Sequence, residues 1–364
     1  MTVLLFIIIL GVLVFVHEFG HFIIAKRSGI RVDEFAIGFP PRIVSKKFGE
    51  TNYALNLIPF GGYVKIHGED PADPSADSMA DNSRSFSSKN RAIQALVLLG
   101  GISMNFIFAW LLISGLFIFG MTVSSSDYPG QTLENERLMI VDVFAESPAA
   151  QAGLRAGDSI RALTDSGETQ AQITLPTVQD FIAAHEGREI AFEIEHGGEI
   201  SQIKVVPKQG VVTDVAGIGV SLDTVGELEL SLISAFIEGA VRMWDLTRLT
   251  AVAIAGFLYD AVTFKADLSS ISGPVGIARF VGDAWSLGWF YLISFTALIS
   301  INLAVINLIP FPALDGGRLL FVAIEAVIRR PLPAKFVRGA NVLGFTLLMI
   351  LLVAVSYKDV LGLF

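Results

Sequence analysis

Two histidines and a glutamate near the N-terminus carry the strongest chemical signal in the chain. His17, Glu18 and His21 form an H-E-x-x-H motif, and on a helix the two histidines lie one turn apart on the same face. Glu18 then lies about 100° from His17 and about 60° from His21 around the helix axis. Two neutral nitrogen ligands and a nearby carboxylate base are what a zinc hydrolase requires.

The setting of this motif strengthens the functional interpretation. The three side chains are the only ionisable groups in residues 2–25, an apolar run long enough to cross a bilayer. A charged residue at the centre of a membrane span costs roughly 2.5–3.5 kcal/mol, so such groups are usually functional. The alternative is a chance match in a helix whose few polar residues face neighbouring helices.

The composition is that of an integral membrane protein with a smaller soluble part. Of 364 residues, 52% are hydrophobic and 17% are charged, with a mean hydropathy of +0.61, whereas soluble domains average about 25% charged residues. The chain has no cysteine and five histidines. Any metal must therefore be held by His, Asp, Glu or Asn. The N-terminus lacks a basic region and a cleavage site, which indicates a retained span.

The charge distribution predicts the topology. Residues 121–230 contain 18 acidic and 6 basic side chains, whereas residues 25–92 contain 10 basic and 8 acidic ones, and residues 314–340 five basic and two acidic ones. Basic loops remain in the cytoplasm, and a large acidic segment can be translocated. We therefore expect both termini and residues 122–230 outside, with the H-E-x-x-H motif towards the cytoplasmic side.

The predicted fold class is a polytopic α-helical membrane protein with four transmembrane helices, at about residues 2–25, 93–121, 289–309 and 341–357. Within residues 1–121, turn residues and alternation over 31–67 predict β-hairpins that enter the membrane; a small cytoplasmic sheet is the alternative. Residues 122–230 predict an inserted α+β domain of five or six strands and two helices. Residues 231–285 predict an amphipathic helix on the outer membrane surface and a Gly-Pro turn, with a fifth span as the alternative. Residues 286–364 hold the last two spans.

The third metal ligand must come from elsewhere, and Asp315 is the best candidate. It is the only carboxylate at the end of the third span, where Pro310 and Pro312 must break the helix. It also lies on the predicted cytoplasmic side, as the first motif does. Alternatively, Asp315 caps a helix that begins near Gly316, but the two histidines then lack a third ligand. The residues therefore predict one catalytic zinc held by His17, His21 and Asp315.

The remaining candidates would complete a peptide hydrolase. Glu18 is the expected base for the attack of water on a peptide carbonyl. The amides of Asn105 and Asn307 could donate to the oxyanion or to the substrate backbone, although the spacing around Asn105 favours a contact that holds two helices together. The strand edge at Gly61, Gly62 and Tyr63 could pair with an extended substrate.

Three segments together resemble the site-2 protease family of intramembrane zinc metalloproteases, and most closely its bacterial regulator of sigma-E protease branch. They are the H-E-x-x-H motif, the span that contains Asn105, and the run Asn307-Leu308-Ile309-Pro310-Phe311-Pro312-Ala313-Leu314-Asp315-Gly316. Residues 147–158 resemble the PDZ domain of this family, and residues 272–278 another family segment. The resemblance implies His17, His21 and Asp315 as zinc ligands and Glu18 as base. It also implies that Asn105 and Asn307 line the site and that residues 31–67 form a membrane-re-entrant sheet.

Enterobacterial members carry two PDZ domains, whereas residues 122–230 have room for one. The resemblance implies a bacterial inner-membrane enzyme that cleaves a membrane-anchored anti-sigma factor already trimmed outside, and leftover signal peptides. Its partners would be such a substrate, the lipid bilayer and a peptide end at the PDZ domain, with no nucleic acid. A non-catalytic PDZ scaffold is the main alternative. A metal transporter is a weak one, because few polar residues mark a path across the spans.

Overall fold

The computed structural model describes residues 1–69, 82–165, 167–208, 217–263, 265 and 271–362. The chain divides into two compact units. The first comprises Met1–Ser114, Phe236–Ala284 and Leu292–Phe364, and the second comprises Gly115–Ala235 and Trp285–Tyr291. The second unit therefore extends beyond the predicted domain 122–230 at both ends and includes a short segment near residue 290.

Helices dominate the first unit. Among the described residues, four helices are long and apolar enough to cross a membrane, in agreement with the predicted four-span architecture. They are α1 (Thr2–Arg27), α2 (Arg91–Ile118), α7 (Trp289–Leu308) and α9 (Ala334–Leu361). Three further helices are α5 (Leu232–Val262), α6 (Pro274–Leu287) and α8 (Asp315–Ile328).

Two long strands between α1 and α2 form the predicted hairpin region. They are β1 (Val32–Phe48) and β2 (Thr51–Ile66). Their register shifts several times, so that residues 34–37 pair with residues 52–55 and also with residues 62–65. Residues 44–48 pair with residues 51–55 near the turn. The two strands thus fold into a small sheet in which residues 34–37 have a neighbour on each side.

Helix α5 contacts two of the four apolar helices. The Trp110 indole of α2 donates to the Phe236 carbonyl at 2.9 Å, and Thr250 donates to Asn302 of α7 at 3.1 Å. These contacts are 14 residues apart on α5, or about 21 Å of helix. α5 therefore contacts α2 near its start and α7 near its middle. Its position on the outer membrane surface stays a prediction.

The predicted Gly-Pro turn is the start of a helix. α6 begins at Pro274, because proline is well tolerated in the first turn, where its missing N–H costs nothing. The Asp359 carboxylate of α9 accepts a hydrogen bond from the Gly276 N–H at 2.8 Å. A Cβ on Gly273 would lie 2.9 Å from the same carboxylate. The glycines of this segment therefore let α9 cap α6.

The second unit is a seven-stranded sheet with two helices. The strand order is β3-β9-β4-β5-β7-β8, and β6 pairs with β5, one strand more than the upper expectation. Ser147 caps the short helix α3 by accepting from the Ala150 N–H at 3.1 Å, and α3 ends at Gly153 in the left-handed conformation. The core residues come from the strands and from both helices and include Ile140, Leu163, Val178 and Phe192. The elements are β3 (Met121–Ser124), β4 (Glu134–Val143), α3 (Pro148–Ala152), β5 (Ser159–Asp165), β6 (Glu168–Gln170), α4 (Leu175–Ala184), β7 (Ile190–His196), β8 (Glu199–Val205) and β9 (Val220–Leu228).

Candidate metal and catalytic centre

His17, His21 and Asp315 converge in the first unit. His17 Nε2 lies 3.0 Å from Asp315 Oδ2, His21 Nε2 lies 3.2 Å from the same oxygen, and the two Nε2 atoms are 3.2 Å apart. Both histidines are buried, and Asp315 is half-buried. The three predicted ligands therefore present their donor atoms to one another as a nearly equilateral triangle.

The size of this triangle fits a zinc ion. Tetrahedral zinc with bonds of about 2.0–2.1 Å separates its ligand atoms by about 3.3–3.4 Å. The observed separations of 3.0–3.2 Å are close to that value. Two imidazole nitrogens and one carboxylate oxygen are also a common donor set of catalytic zinc sites, which leave a fourth position for water or substrate. The residues present thus fit the metal in number, type and spacing.

Asp315 is the first residue of α8, and its carboxylate is directed at the histidines. Leu314 occupies the N-cap position, and within the described part of the chain no side chain caps this helix. Ala313 just before it has a φ of 76°, in the left-handed region that costs a non-glycine residue of order 1 kcal/mol or more. Asn341 of α9 accepts a hydrogen bond from the Ala313 N–H at 3.3 Å. The strained turn is thus supported from α9, and Asp315 does not have the capping role considered as its alternative.

Two glycines after Asp315 allow α8 to begin against the broken end of α7. A Cβ on Gly316 would lie 2.2 Å from the Ile309 carbonyl oxygen, and one on Gly317 would lie 2.2 Å from that of Phe311. These neighbours are backbone atoms and cannot move aside. The run Leu314-Asp315-Gly316-Gly317 therefore places the carboxylate through the close approach of two chain segments.

Helix α2 forms the wall behind the histidines. A Cβ on Gly20 would lie 2.2 Å from the Gly100 carbonyl oxygen, and one on Gly101 would lie 2.3 Å from His21 Nε2. His21 Nδ1 lies 2.9 Å from the carbonyl oxygen of Val97, which is also on α2. The sequence prediction missed Val97 and Gly101 as contributors to the site. The pair Gly100-Gly101 was the available signal, since small residues in membrane helices mark close packing.

Glu18, the predicted base, lies beside the two histidines on α1. It is half-buried and follows His17 directly, so it lies at the edge of the histidine face of α1. Among the described residues, its carboxylate makes no hydrogen bond.

Two ion pairs hold α8, the helix that carries Asp315. One turn beyond Asp315, Arg318 forms an ion pair with Glu69, and farther along, Glu325 pairs with Arg91 of α2 at 2.8 Å. These pairs tie the helix that carries Asp315 to the segment after β2 and to α2.

The two predicted asparagines occupy different environments. Asn105 is fully buried, with 0% of its surface exposed, and its amide nitrogen lies 3.2 Å from His17 Nδ1. It therefore lies beside the ring atom of His17 that faces away from Asp315. Asn307, near the end of α7, is half-buried, and its amide has no hydrogen-bonding partner among the described residues. Only Asn307 thus offers a free amide for a substrate.

The predicted substrate edge lies beside α1. A Cβ on Gly62 would lie 2.7 Å from the Ala36 carbonyl oxygen and 3.7 Å from the side chain of Val14, one turn before His17. Gly61 has a φ of 113°, and the Tyr63 hydroxyl donates to Glu34 at 3.0 Å. Residues 62–65 pair with residues 34–37 on one side. On their other side, no strand among the described residues pairs with them.

Comparison with known proteins identifies similar chains that align with this one over nearly their whole length. A family described as Peptidase family M50 matches residues 5–351. The zinc metalloprotease RasP of Oceanobacillus iheyensis is 30% identical, covering 100% of this chain and 99% of that protein. RasP of Shouchella clausii is also 30% identical, with coverage of 100% and 99%, and RasP of Geobacillus kaustophilus is 29% identical, with coverage of 99% and 97%.

Proposed function

Since this chain belongs to peptidase family M50, the site-2 protease family, and is a zinc-dependent membrane protease, we propose that it cleaves peptide bonds within the transmembrane segments of its substrates. One observation carries this proposal. The donor triangle of 3.0–3.2 Å includes two residues in the interior of α1, a helix apolar enough to cross a membrane. A hydrolytic site at that depth acts on a bond that is itself in the bilayer.

His17, His21 and Asp315 would hold the zinc. When bound, zinc supplies a Lewis acid that activates a water molecule and polarises the peptide carbonyl. Glu18 takes the proton of the attacking water, because its carboxylate has no competing hydrogen bond among the described residues. Glu18 then returns this proton to the leaving amine. The free amide of Asn307 donates to the oxyanion that develops on the carbonyl.

The strand edge at Gly61, Gly62 and Tyr63 presents the substrate. A transmembrane helix hides its peptide bonds in internal hydrogen bonds, so the substrate must be extended before hydrolysis. Residues 62–65 run beside α1 close to Val14, and backbone pairing there would bring an extended segment close to the histidines. This sheet would enter the membrane from the cytoplasmic side, where the exposed apolar side chains of Ile43, Val44 and Phe48 could contact lipid.

We assign the role of a PDZ domain to residues 122–230, because residues 147–158 resemble that domain and the inserted unit combines a sheet with two helices. Its net charge of −12 favours an extracytoplasmic position, with both termini outside and the active site towards the cytoplasm of the bacterial inner membrane. There it would bind the trimmed end of a substrate such as an anti-sigma factor or a signal-peptide remnant. Deleting residues 125–215 should relax the requirement for prior trimming. If untrimmed substrate remains uncut by that variant, the domain does not gate access.

The alternative is a non-catalytic scaffold, and Glu18 argues against it, because metal binding alone does not require this carboxylate. The Glu18→Gln variant should fold and bind zinc as the wild type does but lose cleavage of a model transmembrane substrate. Glu189→Gln, at an exposed position of the second unit, is the matched control and should retain full activity. Full cleavage by Glu18→Gln in detergent or in proteoliposomes contradicts the proposed chemistry.

A further inference from the structure

We propose that Asn105 is a positioning residue. It holds the imidazole of His17 with its proton on Nδ1, so that the lone pair of Nε2 faces the metal position. This inference rests on the proposed function, because it concerns one of the proposed zinc ligands. It assigns Asn105 a place behind the ligand, whereas the sequence suggested contact with substrate or a link between helices.

The environment of His21 shows how α2 can determine which of the two ring nitrogens of a histidine carries the proton. His21 Nδ1 lies 2.9 Å from the Val97 carbonyl oxygen. A carbonyl oxygen only accepts hydrogen bonds, so Nδ1 carries the proton. In the neutral ring, Nε2 then has a free lone pair, and this atom faces Asp315 at 3.2 Å. The backbone of α2 therefore leaves Nε2 of His21 free to bind a metal ion.

His17 needs the same arrangement, and Asn105 is the group that can provide it. Both Nε2 atoms can bind one metal only if His17 also carries its proton on Nδ1. Among the described residues, the polar group within hydrogen-bonding distance of this Nδ1 is the Asn105 amide at 3.2 Å. Histidine ligands usually donate their second N–H to such an acceptor, which orients the ring and raises its basicity.

The amide oxygen of Asn105 is available for this bond. In the structure the amide nitrogen faces His17, and Oδ1 is buried with no hydrogen-bonding partner among the residues described. Rotation of the amide by about 180° exchanges the two atoms and lets Oδ1 accept from the Nδ1–H. An asparagine amide offers this acceptor without adding a buried charge.

The surrounding helix keeps Asn105 in place. Val97, Gly101 and Asn105 are spaced four residues apart, so they lie on one face of α2. The Ser300 hydroxyl of α7 donates to the Asn105 carbonyl oxygen at 2.9 Å, which leaves the side-chain amide for His17. This face of α2 therefore orients both histidines, and Gly101 leaves room for the His21 ring.

The geometry disfavours direct contact between Asn105 and the substrate. The residue is fully buried and lies beside Nδ1, whereas a reacting carbonyl would approach from the Nε2 side. The amide does join two helices, because Asn105 belongs to α2 and His17 to α1. Its partner on α1 is the ring of a proposed metal ligand, so the same contact orients that ring.

The test compares zinc affinity in two variants of α2. Asn105→Leu removes the acceptor and keeps the approximate shape, and Gln94→Leu makes the same change at another buried amide of α2, 1% exposed, that bonds to backbone carbonyls away from the histidines. Zinc retention by the full-length protein is measured against a graded chelator, with thermal unfolding as the folding control. We expect zinc binding about 10–100-fold weaker in Asn105→Leu and unchanged in Gln94→Leu, with Asn105→Asp restoring affinity.

A spectroscopic readout makes the test specific. With only five histidines in the chain, ¹⁵N-histidine NMR of the zinc-loaded protein should show the His17 proton on Nδ1, and should show this signal lost or shifted in Asn105→Leu. Wild-type zinc affinity in Asn105→Leu, with a raised KM instead, would overturn the inference in favour of substrate contact. The proposed function fails separately, if the wild type binds zinc but does not cleave. A wild type that binds no zinc would overturn both.

Discussion

A single methyl group on α2 should displace His21. The Gly101→Ala variant places a Cβ 2.3 Å from His21 Nε2, with the neighbouring ring carbons at 2.7 and 2.8 Å. Ordinary van der Waals contact begins at about 3.4 Å, so the ring must move by about 1.1 Å. The ring cannot move this far without changing its hydrogen bond to Val97 at 2.9 Å or its approach to Asp315 at 3.2 Å.

The expected cost follows from this displacement. A misplacement of about 1 Å in an active site can reduce the rate about 100-fold, which corresponds to roughly 2.7 kcal/mol of transition-state stabilisation. Alanine in a helix is otherwise more favourable than glycine by about 0.8–1.0 kcal/mol. We therefore expect Gly101→Ala to lose activity and zinc affinity to a much greater extent than it loses resistance to thermal unfolding.

Gly115→Ala is the matched control, because Gly115 lies on the same helix and a Cβ there meets no described residue within 4 Å. Both variants are assayed for cleavage of a model transmembrane substrate, for zinc content and for thermal unfolding. Gly115→Ala should match or slightly exceed the wild type in stability and retain activity. If Gly101→Ala cleaves and binds zinc as the wild type does, α2 does not position His21 in the way described.

Two further predictions concern other parts of the first unit. Gly316→Ala brings a Cβ to 2.2 Å from the Ile309 carbonyl oxygen, so α8 must shift and zinc affinity should fall at least about tenfold. Gly339→Ala, where a Cβ meets no described residue within 4 Å, is the control and should leave a zinc titration unchanged. Equal zinc affinity in the two variants would refute this reasoning. Lys26, followed by Arg84, lowers the pKa of the Glu50 carboxyl below its usual range, so the stability from this contact is present above about pH 4.5 and is lost as the pH falls through the lowered folded-state pKa. Glu50→Gln should therefore reduce hydrogen-exchange protection of the hairpin at pH 7 by less than about 1 kcal/mol, and a difference that persists unchanged in strong acid counts against it.

The features that can be predicted best from the sequence are those that depend on side-chain type and spacing. The H-E-x-x-H motif needs only helical geometry to place His17 and His21 together. Asp315 can be paired with them because it is a lone carboxylate beside a proline-broken span. The four apolar helices follow from length and composition alone. In each case the residue types and their spacing determine both the local structure and the place of the group in the fold.

The parts that the sequence did not predict depend on contacts between distant segments. α6 begins where Gly and Pro suggested a turn, because the Asp359 carboxylate of the last helix caps it. Hydrophobic periodicity also does not specify the contacts of α5 with α2 and α7. Val97 acts through its backbone carbonyl, which has the same chemistry in every residue. The place of Asn105 behind His17 depends on how closely α1 approaches α2, a distance set by Gly20 and Gly100.

Zinc-edge X-ray absorption of the purified wild type and of Asp315→Ala tests the central claim most directly. The wild type should contain one zinc per chain, with two imidazole nitrogens and a carboxylate oxygen as protein ligands at about 2.0–2.2 Å. Asp315→Ala should lose this oxygen, bind zinc more weakly and fail to cleave a transmembrane substrate. Identical zinc content and identical coordination in the two proteins would contradict the assignment of His17, His21 and Asp315 as the metal site.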